Sequence, residues 1–293
     1  MIKVRVPATT ANIGPGFDCL GIALNLYCYL EFEEIEEGLL IEECEDEYCD
    51  ENNLIYQSMK KVFGMVNYKP KGIRIRIKSD IPISRGLGSS AACIVGGLVG
   101  ANEISGGRLT KKELLDIANT IEGHPDNVTP AMFGGMTASV CENSKVYFTN
   151  MKVSDKFHFY ALIPDFEVST EKARSVLPKT INYKDAVYNI GRVSLLINAL
   201  MNGDENLLKI SCKDKLHEDY RKNLINDYDY IKSRSEELGS LAVFISGSGS
   251  TIMAVTGRDN NELEKDMSSL LKSLKDNWSI KKLKVDYEGV VIL

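Results

Sequence analysis

The chain has 293 residues, of which 44% are hydrophobic and 26% charged, and its formal net charge is −6. This length can bury a core without disulfides or structural metals, and the composition is that of an ordinary globular protein. The negative charge argues against a nucleic-acid partner, because binding to a phosphate backbone depends on a basic surface.

Strand and helix patterns are interleaved in the first half of the chain. In chain order, the hydrophobic pattern predicts a strand at 3–6 ended by Pro7, a Gly- and Asn-rich loop at 8–20, strands at 22–35 and 39–42, a helix at 53–66, a strand at 72–78, a loop at 80–88, helices at 89–104 and 110–121, and a hairpin at 134–140 and 145–151. Thr110 and Glu113 fit a capping box at the start of the last of these helices.

The second half shows the same mixture without a regular repeat. In chain order, we expect a strand at 157–163, helices at 184–201 and 227–238, strands at 241–246 and 251–256, a helix at 260–275, and strands at 279–285 and 287–292. This order lacks the βαβα rhythm of a doubly wound sheet and therefore favours an α+β fold. We place a domain boundary near residue 153, which divides the chain into domains at 1–153 and 154–293.

The cysteine pattern and the apolar runs bear on the compartment. The seven cysteines are scattered and form no CxxC pair, which argues against a disulfide or zinc framework and favours reduced thiols. Residues 1–7 alternate charged and apolar side chains, unlike a signal peptide. The longest nearly apolar run, at 91–101, is shorter than the roughly 20 residues that a membrane helix needs. We therefore expect a cytoplasmic protein without a membrane partner.

The most informative segment is the glycine- and serine-rich loop at 82–92, Pro-Ile-Ser-Arg-Gly-Leu-Gly-Ser-Ser-Ala-Ala. Gly86 and Gly88 allow a close approach of the backbone to a ligand. A helix is predicted to start directly afterwards, and its first N–H groups and its dipole form a ready site for an anion. The hydroxyls of Ser89 and Ser90 could bond a phosphate oxygen or Mg²⁺. A tight turn capped by Ser89 would explain these residues equally well.

Two other phosphate-binding patterns fit this loop poorly. Residues 86–91 formally match the dinucleotide pattern G-x-G-x-x-A, but that fold needs an acidic residue at the end of the next strand. The acidic residue at a suitable spacing, Glu113, lies in a predicted helix instead. The Gly-Lys-Ser/Thr ending of a Walker A loop is absent from the sequence. The sequence therefore supports neither a dinucleotide-binding fold nor a Walker A mononucleotide-binding fold.

Three segments together resemble one family of small-molecule kinases. The loop at 82–92 is similar to the phosphate loop Pro-x-x-x-Gly-Leu-Gly-Ser-Ser-Ala of the galactokinase, homoserine, mevalonate and phosphomevalonate (GHMP) kinases. Pro7-Ala-Thr-Thr-Ala-Asn-Ile-Gly-Pro-Gly-Phe-Asp18 and Phe244-Ile-Ser-Gly-Ser-Gly-Ser250 match two further motifs of that family in the same order. The resemblance implies a two-domain fold, with an N-terminal domain like ribosomal protein S5 domain 2 and a ferredoxin-like C-terminal domain.

Two motifs resemble those family members that phosphorylate L-homoserine. These are Thr10 to Asp18 within the first motif, and Glu122-Gly-His-Pro-Asp-Asn-Val-Thr-Pro-Ala131, which fits the pattern His-x-Asp-Asn-Val-x-Pro-Ala. The resemblance implies ATP-dependent phosphorylation of the L-homoserine hydroxyl to O-phospho-L-homoserine, on the route to threonine. Two alternatives stay open: another small-alcohol kinase, such as a mevalonate-type enzyme, and a non-catalytic member that only binds ligand.

The resemblance also implies the residues that bind ATP and Mg²⁺. Ser90 and Glu122 would hold the metal ion, although a solvated residue at a helix end would also explain Glu122. The remaining contacts to the nucleotide would come from the phosphate loop, which comprises Pro82, Ile83, Ser84, Arg85, Gly86, Leu87, Gly88, Ser89, Ser90, Ala91 and Ala92. A homodimer would be unsurprising for this family.

A site for L-homoserine must recognise an ammonium, a carboxylate and a hydroxyl. The resemblance implies Asp18 for the ammonium, with Asn12 and His124 nearby. Arg174 matches the family's Thr-x-x-Ala-Arg element and would bind the carboxylate, because arginine offers a bidentate fork. Thr170 could add a hydroxyl contact.

Arg221 is a further candidate for binding the carboxylate, on a less secure match. As a lone arginine it could equally be an ordinary surface charge.

The proton acceptor is left open by the sequence. Other members of the family use an aspartate to take the hydroxyl proton, and Asp126 and Asn127 occupy that region. If Asn127 faces the substrate, it can only orient the hydroxyl, and the γ-phosphate could accept the proton itself. Asn127 and Asp126, together with Arg174 at the substrate carboxylate, are the candidates for catalytic residues.

Overall fold

The computed structural model describes the backbone of residues 1–293 and every side chain except that of Asp46. The strands are β1 (Ile2–Ala11), β2 (Leu20–Ile35), β3 (Gly38–Glu42), β4 (Gly72–Ser79), β5 (Met136–Glu142), β6 (Lys145–Met151), β7 (His158–Pro164), β8 (Ala242–Ile245), β9 (Ile252–Thr256), β10 (Trp278–Leu283) and β11 (Val291–Ile292). The helices are α1 (Leu54–Met65), α2 (Ser89–Ile104), α3 (Lys111–Glu122), α4 (Pro125–Phe133), α5 (Thr170–Ser175), α6 (Tyr183–Asn202), α7 (Glu205–Ser211), α8 (Glu218–Arg221), α9 (Tyr228–Glu237) and α10 (Asn261–Leu271). Short 3₁₀ helices cover Asp46–Tyr48 and Lys222–Leu224.

The first sheet has the order β11-β1-β2-β4-β3, and β5 and β6 extend it from β2. Its strands pair antiparallel except for β3 and β4, which are parallel. The strict alternation of β4 explains its place there, since Ile73 and Ile75 are buried while Arg74 and Arg76 form ion pairs with glutamates on the other face. Helix α2 packs against β1, β2, α1, α3 and α4, and therefore lies at the centre of this half.

The second sheet is wholly antiparallel, with the order β10-β7-β9-β8. Strands β8 and β9 are buried along their whole length, and helices α9 and α10 pack against the sheet. The chain thus forms two sheets whose strands are mostly antiparallel, with helices packed against them. This arrangement confirms the predicted α+β class.

The end of the chain returns to the first sheet. Strand β11 pairs with β1 through Val291 and Ile292, so the predicted strand at 287–292 is wrong for its first four residues. The domain boundary near residue 153 stays a prediction. None of the described helices is long and apolar enough to span a membrane.

Strand β1 is longer than predicted. It continues through Pro7 to Ala11, and its register with β2 shifts between Pro7 and Ala8. A bulge of this kind accommodates proline, which cannot donate a hydrogen bond to the neighbouring strand. The prediction that Pro7 ends the strand is therefore wrong, and the extra residues carry Thr9 and Thr10 into the interior.

The predicted capping box at the start of α3 is confirmed. Thr110 Oγ1 accepts a hydrogen bond from Glu113 N, and the Glu113 carboxylate accepts one from Thr110 N. We expect Thr110→Ala to lower the free energy of unfolding by about 1 kcal/mol, because it leaves a first-turn amide without its partner. Urea unfolding measures this change. Thr120→Ala, at an exposed position of the same helix, is the control and should be nearly neutral.

Candidate active site

The three motifs identified in the sequence meet at the start of α2. Gly86 and Gly88 have φ values of +72° and +71°. A Cβ at Gly86 would collide with the carbonyl oxygen of Ser246, and one at Gly88 with the side chain of Thr9. Ser246 Oγ donates to Gly86 O at 2.6 Å and lies 2.8 Å from Thr10 Oγ1. Glycine is therefore required at both positions, because the phosphate loop is enclosed by β1 on one side and the loop after β8 on the other.

The phosphate loop divides between the cleft and the core. Ile83, Ser84, Gly86, Gly88, Ser89 and Ser90 line the cleft. Leu87, Ala91 and Ala92 are buried in the hydrophobic core and anchor the loop. Arg85 forms an ion pair with Glu167 at 2.7 Å, and Pro82 opens the loop. A nucleotide role for these residues stays a prediction.

Beside the loop lies an apolar part of the cleft that the sequence motifs only partly indicated. The segment beginning at Asn53, the N-cap of α1, lines this part of the cleft. Side chains that sequence reasoning missed come from separate elements: Cys28, Cys44, Tyr48, Ile77, Ser79 and Cys93. Only the alternation of apolar and polar side chains along β2 and β4 could have indicated that some of these residues share a face of the sheet.

Ser90 and Glu122, the predicted metal ligands, are in direct contact. Ser90 Oγ, in the first turn of α2, donates to Glu122 Oε1 at 2.8 Å. Burial raises the pKa of the Glu122 carboxyl above its ordinary value, and the Ser90 hydrogen bond opposes this rise. A hydroxyl and a carboxylate are oxygen donors of the kind that Mg²⁺ prefers, and a cation would relieve the cost of burying this carboxylate. These two residues therefore fit the ion.

The start of α4 orients its polar side chains by contacts with one another and with β1. His124 Nδ1 lies 2.6 Å from Asp126 Oδ1, and Asn127 Nδ2 donates to the same oxygen at 3.3 Å. Asn127 Oδ1 accepts from Thr9 Oγ1 at 2.7 Å. Burial alone would lower the pKa of His124, but the hydrogen bond and charge of Asp126 raise it above its usual range. Asp126 and Asn127 both line the cleft, so the structure brings together the two residues that could face the substrate hydroxyl.

Asp18 and Arg174, predicted to bind opposite charges, bind each other in the structure. Arg174 Nη2 donates to Asp18 Oδ1 at 2.8 Å and Nη1 to Oδ2 at 3.1 Å, which is a bidentate pair. The hydrogen bond that Arg174 donates to Asp18 raises the pKa of Arg174. Carboxylate or ring atoms of Asp18, His124 and Asp126 lie within 4.8 Å of one another. Asp18 thus faces the Arg174 guanidinium on one side and the His124–Asp126 pair on the other.

Asn12, Thr170 and Arg221 complete the predicted substrate-binding set, and all three line the cleft. Asn12 Oδ1 accepts from Asp18 N at 3.0 Å, and its Nδ2 donates to Gly247 O at 2.7 Å. Thr170 is the first residue of α5. Arg221 is 2% exposed, so the surface-charge interpretation of it is wrong.

Arg221 is held by backbone oxygens from two directions. Its Nε donates to Ala173 O at 3.2 Å and its Nη1 to Gly247 O at 2.9 Å. Burial lowers the pKa of Arg221 to about 10, and the charge of Arg174 acts in the same direction. The guanidinium is still a cation at neutral pH, so the cleft contains two positive charges close to Asp18.

His217 has a structural role that its sequence context did not indicate. Its Nε2 donates to Gly14 O at 2.9 Å, and its ring stacks on Phe17 with 5.1 Å between centroids. Burial lowers the pKa of His217, which favours the neutral ring. Phe17 in turn lies under the guanidinium groups of Arg174 and Arg221, at 5.7 and 5.0 Å from its centroid. His217 therefore supports the loop that presents Asp18.

Comparison with known proteins places the chain among kinases. Two family models match: the GHMP kinases N terminal domain over residues 53–135 and the GHMP kinases C terminal domain over residues 193–279. A homoserine kinase from Clostridium botulinum is 58% identical over 292 residues, which covers 100% of this chain and 98% of the relative.

Solved structures agree with this assignment. A homoserine kinase from Cytophaga hutchinsonii superposes with a TM-score of 0.87 at 28% identity, covering 100% of this chain and 97% of that one. A mevalonate kinase from L. major, solved in complex with R-mevalonate, shares the fold with a TM-score of 0.76 at 18% identity, covering 97% of this chain and 96% of that one. These similarities confirm the two-domain fold that the motifs implied. The chain therefore belongs to the GHMP kinase family, among its homoserine kinases.

Proposed function

We propose that the protein transfers the γ-phosphoryl group of ATP to the hydroxyl of L-homoserine, which yields O-phospho-L-homoserine on the route to threonine. The observation that supports this most strongly is that one cleft contains both the Ser90–Glu122 pair at the start of α2 and the bidentate Asp18–Arg174 pair. The first pair suits a metal-bound triphosphate. The second suits an acceptor that carries both an ammonium and a carboxylate, which neither mevalonate nor galactose does.

At the nucleotide, the protein supplies position and charge. The N–H groups in the first turn of α2 would bind phosphate oxygens, and Gly86 and Gly88 let the backbone approach them. Ser90 and Glu122 would hold Mg²⁺, which would neutralise charge on the transferring phosphoryl group. The apolar wall that includes Ile55 and Ile77 would bind the base.

At the acceptor, the substrate would replace the contacts that Asp18 and Arg174 make with each other. The ammonium would bind Asp18, near His124 and Asp126, and the carboxylate would bind the fork of Arg174 with help from Arg221. A substrate that lacks either charge would leave one member of the pair without its new partner. Such losses are the strongest source of discrimination available to a polar site.

For the proton, we propose that the γ-phosphate is the acceptor. The Asp126 carboxylate is buried, and its Oδ1 is already engaged by both His124 and Asn127. The Asn127 carboxamide is fixed by Thr9 and Asp126 and cannot accept a proton at neutral pH. Asn127 would therefore orient the hydroxyl, while Asp126 keeps His124 and Asn127 in place.

We expect Asn127→Ala to lower kcat by about 10²-fold with a smaller change in KM, because misplacing the hydroxyl costs about that much. Asn202→Ala, at an exposed end of α6, is the control. Steady-state kinetics at saturating ATP measure the effect. If Asn127→Ala retained kcat while Asp126→Asn abolished it and removed the acid limb of the pH profile, Asp126 would be the base.

The test of the function is a coupled ADP-release assay with Mg-ATP and a panel of alcohols: L-homoserine, D-homoserine, L-serine, mevalonate and galactose. We expect strong turnover with L-homoserine alone. Turnover only with mevalonate or galactose would retain the phosphate site and reject the zwitterion site. Tight ATP binding without turnover of any alcohol would favour a non-catalytic ligand-binding member of the family.

The cytoplasmic location and the homodimer stay predictions for this chain. We propose a cytoplasmic location because ATP is the phosphoryl donor. Burial also raises the pKa of thiols such as Cys28 and Cys212, which is compatible with cysteines that stay reduced. Light scattering coupled to size-exclusion chromatography would distinguish a dimer from a monomer of 32.6 kDa.

A further inference from the structure

Glu218 is a buried acidic residue that lies next to the cleft and has no part in the proposed mechanism. It is 8% exposed and begins the short helix α8, which ends at Arg221. Its Oε1 accepts a hydrogen bond from Ile245 N at 2.9 Å. Ile245 is the last residue of β8 and precedes the loop Ser246-Gly-Ser-Gly-Ser250. The carboxylate thus joins a helix that carries a cleft arginine to the strand that enters a cleft loop.

Strand β8 is the edge of the second sheet, and two side chains take the place of a missing neighbour strand. Antiparallel pairing with β9 leaves alternate backbone groups of β8 pointing outward. Lys232 Nζ donates to Val243 O at 2.8 Å, and Glu218 accepts from Ile245 N two residues later. The Glu218 carboxyl group thus serves one outward N–H, and the Lys232 ammonium serves one outward C=O. These two contacts hold α8 and α9 in fixed positions against β8.

Helix α8 and the loop after β8 are joined a second time at the cleft. Arg221 Nη1 donates to Gly247 O, which also accepts from Asn12 Nδ2 at 2.7 Å. The two links, Glu218 to Ile245 and Arg221 to Gly247, are three residues apart on α8 and two apart on the other segment. Because α8 has only four residues, it lacks the internal hydrogen bonds of a long helix, and contacts such as these hold it in place.

We propose that Glu218 is a positioning residue for homoserine binding: by holding α8 to the end of β8, it places the Arg221 guanidinium where it meets the substrate carboxylate. This inference rests on the proposed function, in which Arg221 assists Arg174. It assigns Glu218 no contact with either substrate, so its effect is expected in the KM for homoserine and not in that for ATP.

The ionisation of Glu218 provides a readout that simple structural damage would not change. Burial raises the pKa of Glu218 to about 7, while Lys232 from α9 and the Ile245 amide act against this rise. Asp214, before α8, and Asp219, within it, raise the pKa further. Two other titratable side chains face it, the Tyr228 hydroxyl on α9 and the Cys212 thiol after α7.

Ionisation makes the hydrogen bond from Ile245 N charge-assisted and therefore stronger. The KM for homoserine should accordingly fall as the pH rises through about 7. Glutamine at this position can still accept from Ile245 N but cannot ionise, so its KM should lack this step.

The experiment compares Glu218→Gln, Glu218→Ala, Arg221→Lys and the double variant Glu218→Ala/Arg221→Lys across about pH 6 to 8, because ionisation spans about one unit on either side of a pKa near 7. Asp219→Asn is the matched control for KM, because it removes the same charge from an exposed position on the same helix. Since Asp219 raises the pKa of Glu218, the pH step should persist in this variant and move to lower pH. We expect Glu218→Ala to raise the KM for homoserine about tenfold or more, as misplacement of a binding group does, with the KM for ATP nearly unchanged. Glu218→Gln should restore most of the affinity below pH 7 and show a flat profile.

The double variant separates positioning from a general loss of structure. If Glu218 acts through Arg221, the two substitutions should be clearly less than additive in their effect on the KM for homoserine. Full additivity, equal changes in the KM for ATP, or a pH step that persists in Glu218→Gln would each overturn the proposal. If Glu218→Ala does not fold, the profile of Glu218→Gln decides alone. If the wild type is active and the Arg221→Lys variant has the same KM for homoserine, the role of Arg221 in the proposed function is rejected, whatever Glu218 does.

Discussion

Arg174→Ala is expected to lower kcat/KM for L-homoserine by about 10²-fold, which corresponds to about 2.8 kcal/mol. The loss arises because alanine removes the fork for the substrate carboxylate and leaves Asp18 without its partner in the free enzyme. We choose the lower part of the usual range for such pairs because the side chains of Arg174 and Asp18 are 38% and 35% exposed, so water screens part of the interaction. Steady-state kinetics with varied homoserine measure the change.

Two variants make this result specific. Arg174→Lys keeps the charge but cannot bind a carboxylate bidentately, so it should fall between wild type and alanine. Arg234→Ala is the matched control, since Arg234 is 40% exposed and also pairs with a carboxylate, that of Glu237, but on the far helix α9. A raised KM for ATP with an unchanged KM for homoserine in Arg174→Ala would move Arg174 from the acceptor to the nucleotide.

Glu122→Gln is expected to lower kcat by about 10²–10³-fold, because the variant loses the carboxylate that would hold Mg²⁺ against the transferring phosphoryl group. The KM for homoserine should change far less, since Glu122 contacts Ser90 and not the Asp18–Arg174 pair. The concentration of Mg²⁺ needed for half-maximal rate should rise. A magnesium titration at fixed ATP measures both effects in one series.

Ser90→Ala and Glu142→Gln complete the comparison. Ser90→Ala removes a hydroxyl contact without removing a charge, so its effect should have the same direction and a smaller size. Glu142→Gln changes an exposed carboxylate at the end of β5 and should behave as wild type. A kcat for Glu122→Gln within a factor of a few of wild type, with an unaltered magnesium requirement, would reject Glu122 as a metal ligand.

The elements that were predicted well have local causes in the sequence. Helix α2 begins at Ser89 as expected, because two glycines precede a run of small and apolar residues. The capping box at Thr110 and the alternation at 72–78 are likewise read from neighbouring residues. For the same reason the phosphate loop could be located from its own residues, although which of its side chains face the cleft could not.

The features that were missed depend on contacts between distant segments. Helices α5, α7 and α8 have four to seven residues, too few for a hydrophobic period to be recognised. The partner of Asn127 is Thr9, 118 positions away, and Arg221 is buried because Ala173 and Gly247 surround it. No local pattern encodes such pairs, so the family resemblance indicated Arg221 where periodicity could not.

The cysteines along the apolar part of the cleft have a consequence for chemical labelling. Burial raises the pKa of Cys28 to about 11 and that of Cys93 to about 12. Alkylating reagents attack the thiolate, and at neutral pH these two side chains hold almost none of it. Cys28 is also only 2% exposed, so its modification by such a reagent would report transient opening of the β2–α2 contact rather than reactivity of the folded state, and the cleft contains its own probe of local unfolding.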